Sequence, residues 1–162
     1  MNFLESLAAE WYGYNEYFVR TNIHVGKRPL GGYKAEIDVL AYSPIKEELV
    51  HLEMSSDADS WPEREQRMRK KFDLPHAEYE KAFNVKVDKV RKIAICGFSF
   101  ASRNIRWGEI EVKSVREFFN EVYAGLSHKS PMSEAVPESY PLLRAIQMSA
   151  WATKKPRVAR KP

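Results

Sequence analysis

Residues 90–100, VRKIAICGFSF, form a continuous apolar run of strand length, of the kind expected for a central strand covered on both faces. Such a strand needs helices on either side of its sheet, so the architecture expected is α/β or α+β. The rest of the chain supplies the pieces. Phe3, Leu4, Leu7, Ala8, Trp11 and Tyr14 recur at helical spacing and predict a helix over 3–17. Pro62 suits the first turn of a second helix reaching Phe72; Leu74-Pro75 interrupts it, and a shorter helix continues to Phe83. Val115, Phe118, Phe119 and Val122 share one side of a helix over 115–126.

Aromatic, β-branched and alternating stretches predict strands at 17–25, 34–42, 48–55 and 108–113. SPIKE makes the turn between the second and third, so that pair reads as a hairpin. The expected order, α-β-β-β-α-β-β-α, is a mixed sheet with helices on both sides. With 162 residues the chain fits one core domain, placed at 1–126. From Ser127 the composition turns Ser/Pro-rich, and residues 127–162 read as a linker, a short helix near 142–151 and a flexible basic tail.

The 44% hydrophobic and 30% charged make-up is that of a globular protein rather than a disordered one. No stretch approaches the roughly 20 apolar residues of a bilayer span, so no membrane role is expected. The N-terminus lacks the basic region and cleavage site of a secretory signal, and a cytoplasmic location is the default reading. The single Cys96, inside IAICGF, reads as a small buried hydrophobe. Charge is uneven. Lys154, Lys155, Arg157, Arg160 and Lys161 crowd the last nine residues without an acid, and REQRMRKK at 64–71 sets five bases against one acid. Such clusters are the footprint of nucleic-acid contact, though basic surfaces also occur without it. Lys27 and Arg28, on the loop GKRPLGG, are further candidates for phosphate contact.

Asp38 and Glu53 stand inside the two arms of the hairpin. Alternation puts Glu36, Asp38 and Leu40 on one face, opposite Ile37, Val39 and Ala41. On the next strand Leu49, His51, Glu53 and Ser55 share a face, opposite Val50, Leu52 and Met54. Neighbouring strands lie about 4.8 Å apart, so carboxylates on one face can converge on one cation, which is the usual way to keep two close acids ionised. A hairpin with one solvated face produces the same alternation, and spacing alone leaves both readings open.

The pieces AAEWYGYNEYFV, GGYKAEIDVLAYSP and LVHLEMS, with the helix and strands that follow, resemble the PD-(D/E)xK, or restriction-endonuclease-like, nuclease superfamily over residues 3–126. The resemblance implies that fold, action on nucleic acid (DNA first) and Mg²⁺ or Mn²⁺ as cofactor. It implies Asp38 and Glu53 as metal-binding carboxylates, the Met54 carbonyl as a third ligand, and Glu10 as the helix acid, with Glu16 the weaker match. In that family the metal polarises the scissile phosphate and activates a water, and a lysine two residues after the second acid assists.

Here that lysine position holds Ser55. Three explanations stand side by side. Arg67, Lys70 or Lys71 on the following helix could project back in its place. His51, on the face of Glu53, could take the proton, or could be a strand histidine with a structural hydrogen bond. Or the site is degenerate, and the domain binds nucleic acid or protein without cutting. A homodimer or a protein partner stays open.

Overall fold

The computed structural model describes residues 2–55, 57, 59–97 and 105–153. In chain order the elements are α1 (Phe3–Tyr14), β1 (Phe18–Lys27), β2 (Tyr33–Ser43), β3 (Glu48–Ser55), α2 (Trp61–Phe72), α3 (His76–Phe83), β4 (Val90–Cys96), β5 (Ile105–Trp107), β6 (Ile110–Lys113), α4 (Val115–Ser127) and α5 (Pro141–Ala152). Among the described residues this is a mixed α/β protein with five helices and one six-stranded sheet, ordered β1-β2-β3-β4-β6-β5. β1, β2 and β3 form an antiparallel meander. α2 and α3 then carry the chain across so that β4 runs parallel to β3, with β6 parallel to β4 and β5 antiparallel at the edge.

The ends of these elements have local causes. Asn2 caps α1, its Oδ1 accepting from the Leu4 and Glu5 N–H groups at 2.9 and 3.1 Å, while the Glu5 carboxylate accepts from the Asn2 N–H. The helix stops at Tyr14, short of the expected 17, because Asn15 terminates it and Glu16 takes a left-handed φ of 67°. The strand expected over 108–113 is present as β6 from Ile110 to Lys113, but its first two residues are a turn that joins it to a further strand, β5. Gly108, at φ 67°, and Glu109 make the turn between β5 and β6. A two-residue turn beginning on glycine was hidden because Gly108 looked like the first residue of an alternating run. The expected 90–100 strand ends at Cys96, where Gly97 takes a left-handed φ of 68°, and residues 98–100 lie outside the described residues.

β3 is buried at every position from Leu49 to Ser55, and Ile93 to Cys96 on β4 are buried in succession, so the centre of the sheet is covered on both faces. α2 and α3 cover the face that carries His51 and Glu53. Phe72 and Tyr79 pack on the His51 ring at 4.5 and 5.5 Å between centroids, and Met68 and Phe72 join Ala94, Cys96, Trp107, Ile110 and Val112 in one buried cluster. Residues Met68 and Phe72 are four apart, so one helix stripe serves the whole cluster. α1 packs against β1, β2 and β3 through Leu4, Leu7, Ala8 and Tyr12.

Strict alternation fails along the β1–β2 pair. Ile37 and Leu40, three apart, sit in the same buried cluster as Val25, Leu49 and Tyr79. Asn22, which falls opposite Asp38 in the register, has a left-handed φ of 53° within β1. The register is unchanged on either side of Asn22, so this local departure from extended geometry falls opposite the stretch between Ile37 and Leu40 without a shift in pairing.

The chain divides into two compact units, residues 1–118 and 119–162, with the division inside α4. In the second unit the Ser/Pro-rich stretch is pinned to α5. The buried Gln147 accepts from the Val136 N–H and donates to the Glu134 carbonyl, and Arg144 donates to the Val136 carbonyl at 2.7 Å. Among the described residues no helix is long and apolar enough to cross a membrane.

Candidate functional site

Three elements of the first unit meet at one charged cluster: Asp38 from β2, Glu53 from β3 and Lys71 from the last turn of α2. The antiparallel register pairs Leu40 with His51, which brings the Asp38 and Glu53 side chains together. The Asp38 N–H approaches Glu53 Oε1 at 3.4 Å, and Asp38 Oδ2 accepts from the Met54 N–H at 2.9 Å. Lys71 Nζ donates to both Asp38 oxygens at 3.1 Å and to Glu53 Oε2. The Glu53 side chain is fully buried, Asp38 13% exposed and Lys71 34% exposed, so the ammonium closes the mouth of a carboxylate pair that faces inward.

Burial dominates the electrostatics. It raises the Asp38 carboxyl above its ordinary range, and repulsion from Glu53 adds to this, against the Met54 N–H and Lys71. Burial raises Glu53 as well, opposed mainly by Lys71. Burial works against the Lys71 charge too, but Glu53 and then Asp38 outweigh it and hold the ammonium above its usual pKa.

Behind Glu53 lies His51, with no exposed surface. Its Nε2 is 2.7 Å from Glu53 Oε1 and its Nδ1 2.9 Å from the Tyr79 hydroxyl. Burial lowers the His51 pKa to about 3 and pushes the Tyr79 phenol well above its usual value, so both side chains are neutral across the physiological range. With both ring nitrogens engaged and no surface, His51 cannot accept a proton from a bound water. Of the two readings of this residue, the geometry favours the structural hydrogen bond over the catalytic base.

The other sequence candidates fall as follows. Ser55, at the expected lysine position, accepts from Arg67 Nη2 at 2.6 Å and donates to Asp57 at 3.0 Å; Arg67 also pairs with Asp57 and Asp59, each at 2.5 Å. Arg67 thus puts a guanidinium beside Ser55, one turn before Lys71. Met54 joins the cluster through its N–H, while its side chain is buried. Glu10 stands half-buried on α1. Lys27, Arg28 and Lys70 are exposed, the first two at the β1–β2 turn. Lys154, Lys155 and Arg157 lie outside the described residues. Trp61 packs on Trp107 at 5.1 Å, and Tyr17 donates to Glu48 at 2.5 Å, its phenol pushed up to about 12 mainly by burial. Cys96 is a free, buried thiol with its pKa raised by burial to about 11.

A cleft of about 670 Å³ opens beside Asp38 and Lys71, with Lys34, Arg67 and Lys70 at its sides and Val25, Leu74 and Pro75 among its apolar lining. Among the described residues no group of three or more His, Cys, Asp or Glu side chains is arranged to hold a metal. The oxygens that converge belong to two carboxylates, and they already share one cation, the Lys71 ammonium. An oxygen-rich pair of this kind suits a hard divalent ion such as Mg²⁺, which needs only one or two carboxylates from the protein.

No protein-family model matches the chain, and no curated protein matches it. A solved structure titled "Crystal Structure of Protein of Unknown Function AF1548" is similar over 92% of this chain and 95% of its own, at 11% identity and a TM-score of 0.46.

Proposed function

We propose that the chain is a restriction-endonuclease-like domain acting on nucleic acid, a Mg²⁺- or Mn²⁺-dependent phosphodiesterase in which Lys71 stands in for the lysine missing at Ser55. The observation that carries this reading is the Lys71 ammonium, bonded to both Asp38 and Glu53 from the following helix. A positive group beside the paired acids is what the Ser55 substitution had removed from the pattern, and here it arrives from another element.

In this reading Asp38 and Glu53, with the Met54 carbonyl, hold the cation. The metal, when bound, supplies Lewis-acid polarisation of the phosphate and lowers the pKa of its water. Lys71, a third exposed beside the two acids, would offer its ammonium to charge developing on the phosphate. Lys34, Arg67 and Lys70, which share the lining of the neighbouring cleft with Glu36, Asp73 and Glu78, would meet the phosphate backbone there.

A second reading, a binding module of the same fold that does not cut, is favoured by the same ion pairs read as permanent: Lys71 would then be a fixed structural cation. Incubation with linear, branched and single-stranded DNA and RNA, with Mg²⁺ or Mn²⁺, separates the two. Cleavage by the wild type that disappears in Glu53→Ala and Lys71→Ala is expected. Failure of the wild type to cut any of these substrates would sink the enzyme reading, and salt-sensitive binding indifferent to both substitutions would establish the second.

A further inference from the structure

The Glu53 carboxylate has two oxygens with different surroundings. Oε2 meets Lys71, at the mouth of the site, whereas Oε1 is turned inward to His51 Nε2. His51 in turn meets the Tyr79 hydroxyl, so the chain Tyr79–His51–Glu53 runs from α3 through β3 to the charged cluster without a break. All three side chains are buried. Resting on the metal-site reading above, we infer that His51 and Tyr79 are positioning residues that lock Oε1 and so present Glu53 to a cation through Oε2 alone.

Donor and acceptor accounting gives the chain one direction. A neutral imidazole carries one N–H, and both Glu53 oxygens already accept, Oε2 from Lys71 and Oε1 from the Asp38 N–H at 3.4 Å. His51 must therefore donate from Nε2 to Glu53, which leaves Nδ1 as an acceptor for the Tyr79 O–H. Tyr79 thereby selects the tautomer that Glu53 requires. Phe72, packed on the same imidazole at 4.5 Å, limits rotation of the ring out of this line. Bonds of this kind behind a ligating group fix its orientation, and their loss typically weakens metal affinity about 10- to 100-fold. Glu53 held by one oxygen is a narrower ligand than a free carboxylate, which could rotate and chelate through both.

The inference has two tests that do not depend on cleavage. In the metal-free protein, ¹⁵N NMR should report His51 with its proton on Nε2 in the wild type, and a loss of that single tautomer in Tyr79→Phe. Mn²⁺ binding followed by EPR should weaken about 10-fold or more in Tyr79→Phe and His51→Ala. His51→Gln, whose amide nitrogen can reach the place of Nε2, should restore affinity to within a few-fold of wild type. Circular dichroism and thermal melts verify that each variant folds. A proton on Nδ1 in the wild type, or Mn²⁺ affinity unchanged in both Tyr79→Phe and His51→Ala, would overturn the inference. No Mn²⁺ binding by the wild type would overturn the metal-site reading, and the tautomer would then decide the Tyr79–His51–Glu53 direction by itself.

Discussion

Asp38 and Glu53 are two acids whose burial favours their neutral forms, and they share one ammonium group, that of Lys71. The sign of the resulting pH dependence follows from Asp38. Its pKa is raised in the folded state, so the native protein binds that proton more tightly than the unfolded chain does. Stability associated with this group is present at low pH and is lost as pH rises through the raised folded value. Asp38→Asn, which keeps an acceptor for the Met54 N–H without the charge, is therefore expected to be more stable than wild type at pH 7 by about 1 kcal/mol, roughly 2–4 °C. It should also lose cleavage, and paired melting and nuclease assays check both. His51 works in the opposite sense. Its pKa falls from 6.5 to about 3, so its contribution is present above 6.5 and drains away as pH falls through that window. Melting temperatures at pH 7, 5 and 4 should fall less steeply in His51→Gln than in the wild type. Alternation places His51 and Glu53 on one face, but singling out Asp38 and Glu53 as a pair takes the family resemblance, since spacing alone also fits a solvated face. The contact with Tyr79, 28 residues further on, was not legible, because no local pattern marks which buried tyrosine will face a given histidine.

At the scale of elements, α2 decides the site. Its sequence, WPEREQRMRKKF, reads plainly as an amphipathic helix beginning near a proline, and the apolar stripe of Met68 and Phe72 sets its rotation. That rotation carries Arg67 and Lys71, four apart, along a shared line toward β3. Which of the neighbouring bases would reach the acids depended on the helix phase and on how α2 lies over the sheet, neither of which spacing conveys. Lys71→Ala is expected to lower cleavage at least 100-fold, with Arg67→Ala well under that, since Arg67 bonds Ser55 and the loop acids rather than Asp38 or Glu53. Single-turnover rates at saturating metal measure the difference. In the second unit, Gln147 gives no signal as a lone polar residue in a helix, yet it satisfies the backbone on either side of Ala135. Gln147→Ala should cost about 1–3 kcal/mol, read from urea denaturation, because the Val136 N–H is left buried without its partner.

For the whole molecule, the order of strands and helices was largely legible because periodicity, prolines and apolar runs report on local structure. The left-handed backbone at Asn22, the β5–β6 turn and the placement of the unit division within α4 arise from backbone dihedrals and long-range packing, which periodicity does not report. The exposed bases allow a test at this scale. If Lys27, Arg28 and Lys70 bind phosphates, replacing all three with alanine should weaken DNA binding and reduce the slope of log K against log salt by about 0.9 for each phosphate no longer neutralised. Fluorescence anisotropy across a salt series measures it, and an unchanged slope would remove these three from the interface.

The parallel pairing of β3 with β4 has a kinetic consequence. Asp38 and Glu53, 15 residues apart, meet when the local hairpin zips, and Lys71, 18 residues beyond Glu53, closes a loop of nearly the same length. The pairing of Leu49 with Val90 spans 41 residues, and contacts of greater separation carry a larger loop-closure cost and tend to form later. During refolding the acids and their counter-ion are therefore expected to assemble on the β2–β3 hairpin before β4 docks, so that the charged cluster precedes the centre of the sheet.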